Sequence, residues 1–178
     1  KFEGELQPGV TAKDMILALN AQIGIGGGTG YVFEYAGEAV RALNMEERMT
    51  LCNMAIEAGG TSGICQPDTV TVDYLWPFIQ NEFSTKEKAL VAYSKWCADA
   101  DAAYDKVFDF DLSAIGPQVT FDYKPDCVKP VSEMAGARVD QIYIGSCTNG
   151  RLEDLRVAAD ILKGKKIAET VRGIVSPA

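Results

Sequence analysis

Residues 139–175 read in one short span as strand, polar turn, helix and strand: VDQIYIG, SCTNG, RLEDLRVAADILKG and VRGIV. No other stretch restricts the fold as much. An apolar ribbon running directly into an amphipathic helix and returning as a second ribbon is the pattern of a parallel pair with a helical crossover. The same alternation recurs upstream. PGVTAKD predicts a turn with Thr11 as the cap of a helix carrying apolar residues 15, 16, 19 and 23. YVFEYA reads as a strand, and GEAVRALNMEERMTLCNMAIEAGG as a helix broken near Asn44, its second part burying Met49, Leu51, Cys52 and Ile56. TSGICQPD is a short strand stopped by Pro67. Asp68 or Thr69 then opens a helix through Leu75, where Pro77 is expected to kink or end it.

Residues 84–106 are expected to form the longest helix, started by Ser84 or Thr85. KFEGEL, VFDFDLSAI and PQVTFDY are further strand candidates, and DCVKPVSEMAGAR a loop with a short helix. The pattern predicts one α/β domain over residues 1–178, with three α/β/α layers and a largely parallel sheet covered on both faces. In such sheets ligands bind beyond the carboxyl ends of the strands, and Cys65 and Cys147 both fall at such ends.

Composition narrows the chemistry. The net charge of −8 and the lack of a basic stripe argue against nucleic acid or an anionic membrane as partner. No apolar run approaches the about 18 residues of a membrane span. Five cysteines at irregular spacing do not form a disulfide framework, so free thiols in a reducing cytoplasm are expected. The 178 residues contain no histidine, so a Cys–His nucleophile, a Ser–His–Asp triad and any His-ligated metal are impossible within them.

Two motifs carry chemistry. GIGGGTG, residues 24–30, follows a helix and opens a strand, the reverse of a dinucleotide fingerprint, and reads chiefly as a flexible turn. In CNMAIEAG, Asn53 and Glu57 are spaced i, i+4. An unbroken helix would stack this amide and carboxylate on one face, either as a solvated surface or facing a cleft.

Cys147 sits between Ser146, Thr148 and Asn149, with Arg151 four residues on. The chain has no C-x-x-C and no close pairs of ligands, which argues against a thioredoxin-type couple and a structural zinc site. The helix starting near Arg151 is expected to turn its amide N–H groups toward the thiol and favour a thiolate. Hydroxyl and amide donors around a sulfur also suit an iron–sulfur ligand, though one cysteine cannot hold a cluster alone.

IGSCTNGRLEDLRVAADILKGKKI resembles the first cluster-ligand motif of the aconitase superfamily, in the form found in large subunits of 3-isopropylmalate dehydratase and homoaconitase-type enzymes. PGVTAKDMILAL, GGGTGYVFEYAGEAVRALNMEERMTLCNMAIEAGGTSG and PQVT resemble the central region of the same family. The likeness is weakest over residues 75–110. It implies that Cys147 is one of three thiolates on a 4Fe–4S cluster with one iron open to substrate. It also implies that Thr148 and Asn149 lie beside the cluster, and that Asn53 and Glu57 lie near the substrate.

The implied chemistry is dehydration and rehydration of a hydroxy-dicarboxylate, as in leucine biosynthesis, with a small subunit as partner. The resemblance places the family's C-x-x-C ligands after residue 178 and its Asp–Ser–His motif before residue 1. Its proton-abstracting Ser and substrate-binding arginines fall in later or separate segments, leaving Arg151 as the local positive group. The chain, which opens KFEGEL and stops at GIVSPA, is therefore expected to be the inactive middle of a larger cytoplasmic subunit. The rival readings are a cluster-free binding or regulatory module on the same fold, and a thiol sensor pairing Cys147 with Cys65. The sensor requires those sulfurs to come within disulfide reach.

Overall fold

A computed structural model describes residues 1–178. Its elements, in order, are β1 Phe2–Glu3, α1 Ala12–Ile23, β2 Val32–Tyr35, α2 Glu38–Ala42, α3 Met45–Asn53, β3 Ser62–Cys65, α4 Thr69–Ile79, α5 Lys86–Ser94, β4 Phe110–Asp111, β5 Gln118–Thr120, β6 Val128–Pro130, β7 Gln141–Gly145, α6 Ser146–Asn149, α7 Leu152–Leu162 and β8 Arg172–Ser176. The expected α/β alternation is present. Two strand–helix–strand units dominate: β2 pairs parallel to β3 across α2 and α3, and β7 pairs parallel to β8 across α6 and α7. β1 and β4 are also parallel, while β5 and β6 form an antiparallel ladder. The strands do not join into one sheet. They form four separate two-stranded ladders, with α2 packed on β1, α3 on β3 and α1 on β5.

The main core lies in the first half of the chain. Met15, Ile16 and Leu19 of α1 close over Tyr35, Val40, Leu43 and Leu51, and Phe2 stacks on Phe110 with ring centroids 4.8 Å apart. Capping follows the expected residues. The Asp14 carboxylate accepts from both the Thr11 amide and the Thr11 hydroxyl, and also from the Gln118 amide at 2.6 Å, tying α1 to β5. Asp68 caps α4, and Thr85 caps α5. The glycine segment acts through close approach. A side chain at Gly28 would strike Phe33 and the backbone at Ala58 and Gly60, and the Gly28 amide donates to Ala58 O at 2.8 Å.

Three expectations need correction. Ile56 is 68% exposed, because the helix tightens before reaching it. α4 continues through Pro77 to Ile79, where Ile79 and Val72 pack with Ala89 of α5 in a small second core. α5 ends at Ser94, well short of residue 106. The segment beyond it, ADADAAYDK, has no apolar stripe, and its aspartates compete for backbone donors and oppose the negative end of a helix.

Candidate functional site

β7 delivers the chain to Gly145, and the next four residues form the single turn α6, which carries Cys147. A side chain at Gly145 would run into the Ser176 carbonyl, so glycine allows β8 to close against this corner. Ser146 then takes a left-handed backbone, φ 78°, a conformation costing a non-glycine residue about 1–2 kcal/mol. Its hydroxyl lies 3.1 Å from that of Thr148 and accepts from the Thr148 amide at 3.4 Å, which braces the turn.

The corner is docked on α3 by polar contacts. The Thr50 hydroxyl donates to the Thr148 carbonyl at 3.0 Å, and the Arg151 guanidinium donates to the Glu46 carbonyl at 2.8 Å. The Asn44 amide group donates to the Glu153 carboxylate at 2.6 Å. These bonds leave Cys147 exposed at the end of α3, where the Asn53 side-chain amide donates to its sulfur at 3.1 Å. Two residues 94 apart in sequence, singled out separately from their motifs, thus meet at one point.

Glu57 is placed differently from the i, i+4 expectation. α3 ends at Asn53, and Met54–Ala58 wind as a 3₁₀ helix closed by left-handed Gly59. At three residues per turn, four residues leave Glu57 about a third of a turn away from Asn53. It bonds to neither Asn53 nor Cys147, and its Oε2 is buried without a hydrogen-bond partner. Tyr35 is among its neighbours. Burial, then the proximity of Cys52, Cys65 and Glu57, holds the Tyr35 hydroxyl above the ordinary phenol range.

Thr148 and Asn149 are close to Cys147 in the chain but do not bond to its sulfur. Asn149 Nδ2 donates to Asp154 at 3.2 Å, while its Oδ1 is buried and unpartnered. At the start of α7 the amides turn to carboxylates: the N–H of the cap residue Arg151 donates to Asp154 Oδ2 at 3.1 Å, and that of Glu153 to Glu46 Oε2 at 3.4 Å. The Arg151 guanidinium gives one donor to the Glu46 carbonyl and forms no ion pair within the chain. The Cys147–Cys65 pair is not formed either; the sulfur beside Cys65 belongs to Cys52, 3.9 Å away. Sequence reasoning missed Thr50 and Glu46, although 46, 50 and 53 fall at i, i+4 and i+7 on one face of α3.

No three Cys, Asp or Glu side chains converge as a complete metal site. What the corner offers is an exposed thiol with an amide donor on its sulfur, and two residues further on a buried, unpartnered oxygen on Asn149. That donor set fits one corner of a soft metal cluster and is not by itself a complete ligand set. A cavity of about 700 Å³ lies elsewhere, between β1, β2, the β3–α4 turn and residues 103–108.

The model of the aconitase family (aconitate hydratase) matches residues 1–138 and 131–178. Over 177 residues the chain is 66% identical to the 3-isopropylmalate dehydratase large subunit of Citrifermentans bemidjiense, covering 99% of this chain and 42% of that one. The large subunit of the same name from Geobacter metallireducens is 65% identical, again over 99% of this chain and 42% of its own length. The 3-isopropylmalate dehydratase large subunit 1 of Pyrococcus furiosus is 46% identical over 99% of this chain and 40% of its own. The chain therefore spans about two-fifths of the relatives it matches. No helix in it is long and apolar enough to cross a membrane.

Proposed function

The chain belongs to the aconitase family, and from that premise we propose that it is the central α/β domain of the large subunit of a 3-isopropylmalate dehydratase, a cytoplasmic hydro-lyase of leucine biosynthesis. The observation that carries the site assignment is the Asn53 amide donating to the exposed Cys147 sulfur at 3.1 Å. An amide bond to a thiolate stabilises its charge and fixes its direction, as expected of a cluster ligand.

In this reading Cys147 supplies one thiolate to a 4Fe–4S cluster, and the remaining ligands come from outside residues 1–178. When bound, the cluster supplies an open iron as a Lewis acid for the hydroxyl that leaves a hydroxy-dicarboxylate substrate. The work of this chain is positional. Ser146 and the Thr50–Thr148 bond hold the thiol at the end of α3, and Asn53 steadies the sulfur. Asn149, two residues further on, keeps a buried side-chain oxygen without a partner. Glu57 brings a shielded carboxylate oxygen that no group in the chain satisfies, suited to accept a hydrogen bond from the substrate hydroxyl. Arg151, which has no carboxylate partner in the chain, is the local positive group, and the others that bind the substrate carboxylates come from a small subunit and from the rest of the large one.

The test is anaerobic reconstitution of the full-length large subunit with iron and sulfide, with and without Cys147→Ser. The wild type should hold a 4Fe–4S chromophore and, with the small subunit, dehydrate 3-isopropylmalate; the variant should lose both. Residues 1–178 alone should hold no stoichiometric cluster. A full cluster in Cys147→Ser, or in the isolated 178 residues, overturns the assignment.

A further inference from the structure

The site described above uses Cys147 and leaves the closest pair of thiols unexplained. Cys52 lies in the last turn of α3 and Cys65 ends β3, and their sulfurs are 3.9 Å apart. Gly63 sets this approach. It shares a strand face with Cys65, two residues on, and a side chain there would meet Cys52 Cα at 2.9 Å and the Tyr35 ring at 2.9 Å. With glycine at 63, α3 lies directly on β3 and the two thiols face each other. The other contact of the pair is a long one, from Cys65 Sγ to the Arg48 carbonyl at 4.0 Å. Cys65 also lines the 700 Å³ cavity, and both cysteines are only partly buried.

We propose that Cys52 and Cys65 form a reversible disulfide, a modification site separate from the cluster-binding corner, with a low-molecular-weight disulfide as oxidant. The sulfurs must close by roughly 2 Å to reach bonding distance. Cys52 is the natural attacking group. The contact between the two sulfurs holds the Cys52 thiol below its ordinary value, while the same contact and burial push Cys65 up. The Cys52 thiolate attacks one sulfur of the reagent, whose S–S bond breaks and releases one thiolate with its electron pair. Cys65, giving up its proton, then attacks the Cys52 sulfur of the mixed disulfide and expels the second reagent thiol. Two protein thiols are oxidised, one external disulfide is reduced to two thiols, and the two protons finish on those products. The new bond would join α3 to β3 one residue before Asn53, coupling the thiol state of the pair to the helix end that holds Cys147.

The experiment treats the full-length protein with 2-hydroxyethyl disulfide under anaerobic conditions, blocks the remaining thiols with iodoacetamide, and maps the peptides by mass spectrometry. The expected product joins the peptides bearing residues 52 and 65, is lighter by two hydrogens, and reverts with dithiothreitol. In Cys65→Ser, Cys52 should instead retain a single hydroxyethanethiol adduct. Recovery of Cys52 and Cys65 as separate alkylated or singly adducted residues in the wild type overturns the proposal. So does a bond from Cys65 to Cys147. The wild-type map decides the matter even where the variant fails to fold.

Discussion

The Thr50 hydroxyl donates to the Thr148 carbonyl oxygen across 3.0 Å, although 98 residues separate them. Both residues are nearly closed to solvent, at 6% and 9% exposed, so the bond has no ready substitute in water. It is the inner fastening between α3 and the turn that bears Cys147. Thr50→Val keeps the shape and removes the donor, leaving a buried carbonyl unpaired. It should destabilise the protein by about 1–3 kcal/mol. Urea denaturation would measure the loss, and faster alkylation of Cys147 by iodoacetamide would show the corner loosened. An unchanged midpoint together with an unchanged alkylation rate would contradict this role.

Arg48 is 3% exposed and makes a bidentate pair with Asp68, both bonds 2.8 Å, while also donating to the Leu43 and Arg41 carbonyls. One residue thereby joins α2, α3 and the start of α4. Asp68→Ala strands a buried guanidinium and removes the α4 cap, and should cost about 3–5 kcal/mol.

The same pair predicts acid sensitivity. Burial raises the Asp68 carboxyl, but the Arg48 bonds and charge and the Thr71 and Val70 amides outweigh it and hold the native value below the ordinary one. The stabilisation is full above the unfolded value of about 3.9 and is lost as pH falls through the lower native value. Asp68→Asn should flatten that part of the stability curve, measured by denaturation at stepped pH. A curve that keeps the wild-type slope below pH about 4 would rule the pair out as its source.

Glu47 behaves in the opposite sense. Burial first, and then the nearby carboxylates of Glu153 and Asp154, raise its carboxyl, although the Asn44 amide bond works against them. The native state therefore takes up this proton at higher pH than the unfolded chain. Its charge is a cost above the native value, and stability should rise as pH falls from there toward about 4.3. Glu47→Gln retains an acceptor for the Asn44 amide while removing the charge. It should be neutral or stabilising at pH 7 and abolish the rise. A marked loss of stability at pH 7 would mean the charge is needed.

Cys147 stands out in the sequence as a thiol at a strand end and Asn53 as part of a short motif within an expected helix, and α/β alternation was legible because its periods of 2 and 3.6 are local. Three features were not. The change to 3₁₀ winding after Asn53 depends on bonds from Gly59 and Gly60 back to Ile56 and Ala55, which no apolar period reports. The stripe Glu46, Thr50, Asn53 looks like a solvated face until Thr148, Cys147 and Arg151 arrive from about 100 residues away. Cys52 and Cys65 sit in separate elements, and only the space left by Gly63 brings their sulfurs together. Each of these is a tertiary relation between segments that are individually ordinary.

Gly145 gives the sharpest test of how the Cys147 corner is built. An added side chain would meet the Ser176 carbonyl oxygen, with the Ser176 carbonyl carbon and Cβ both at 3.1 Å. The first obstacle is backbone, so it cannot rotate away, and β7 and β8 must part where they pair at Gly145 and Ser176. Gly145→Ala should therefore cost about 1–3 kcal/mol, the usual range for overpacking. The damage should be local at first, with faster hydrogen exchange at the amides of residues 172–176 and readier alkylation of Cys147. Gly116→Ala is the control, since nothing lies within 4 Å of the added carbon and its φ is not positive. It should change stability by no more than about 0.5 kcal/mol. Equal effects from the two substitutions would mean that close packing of β8 does not hold the corner in place.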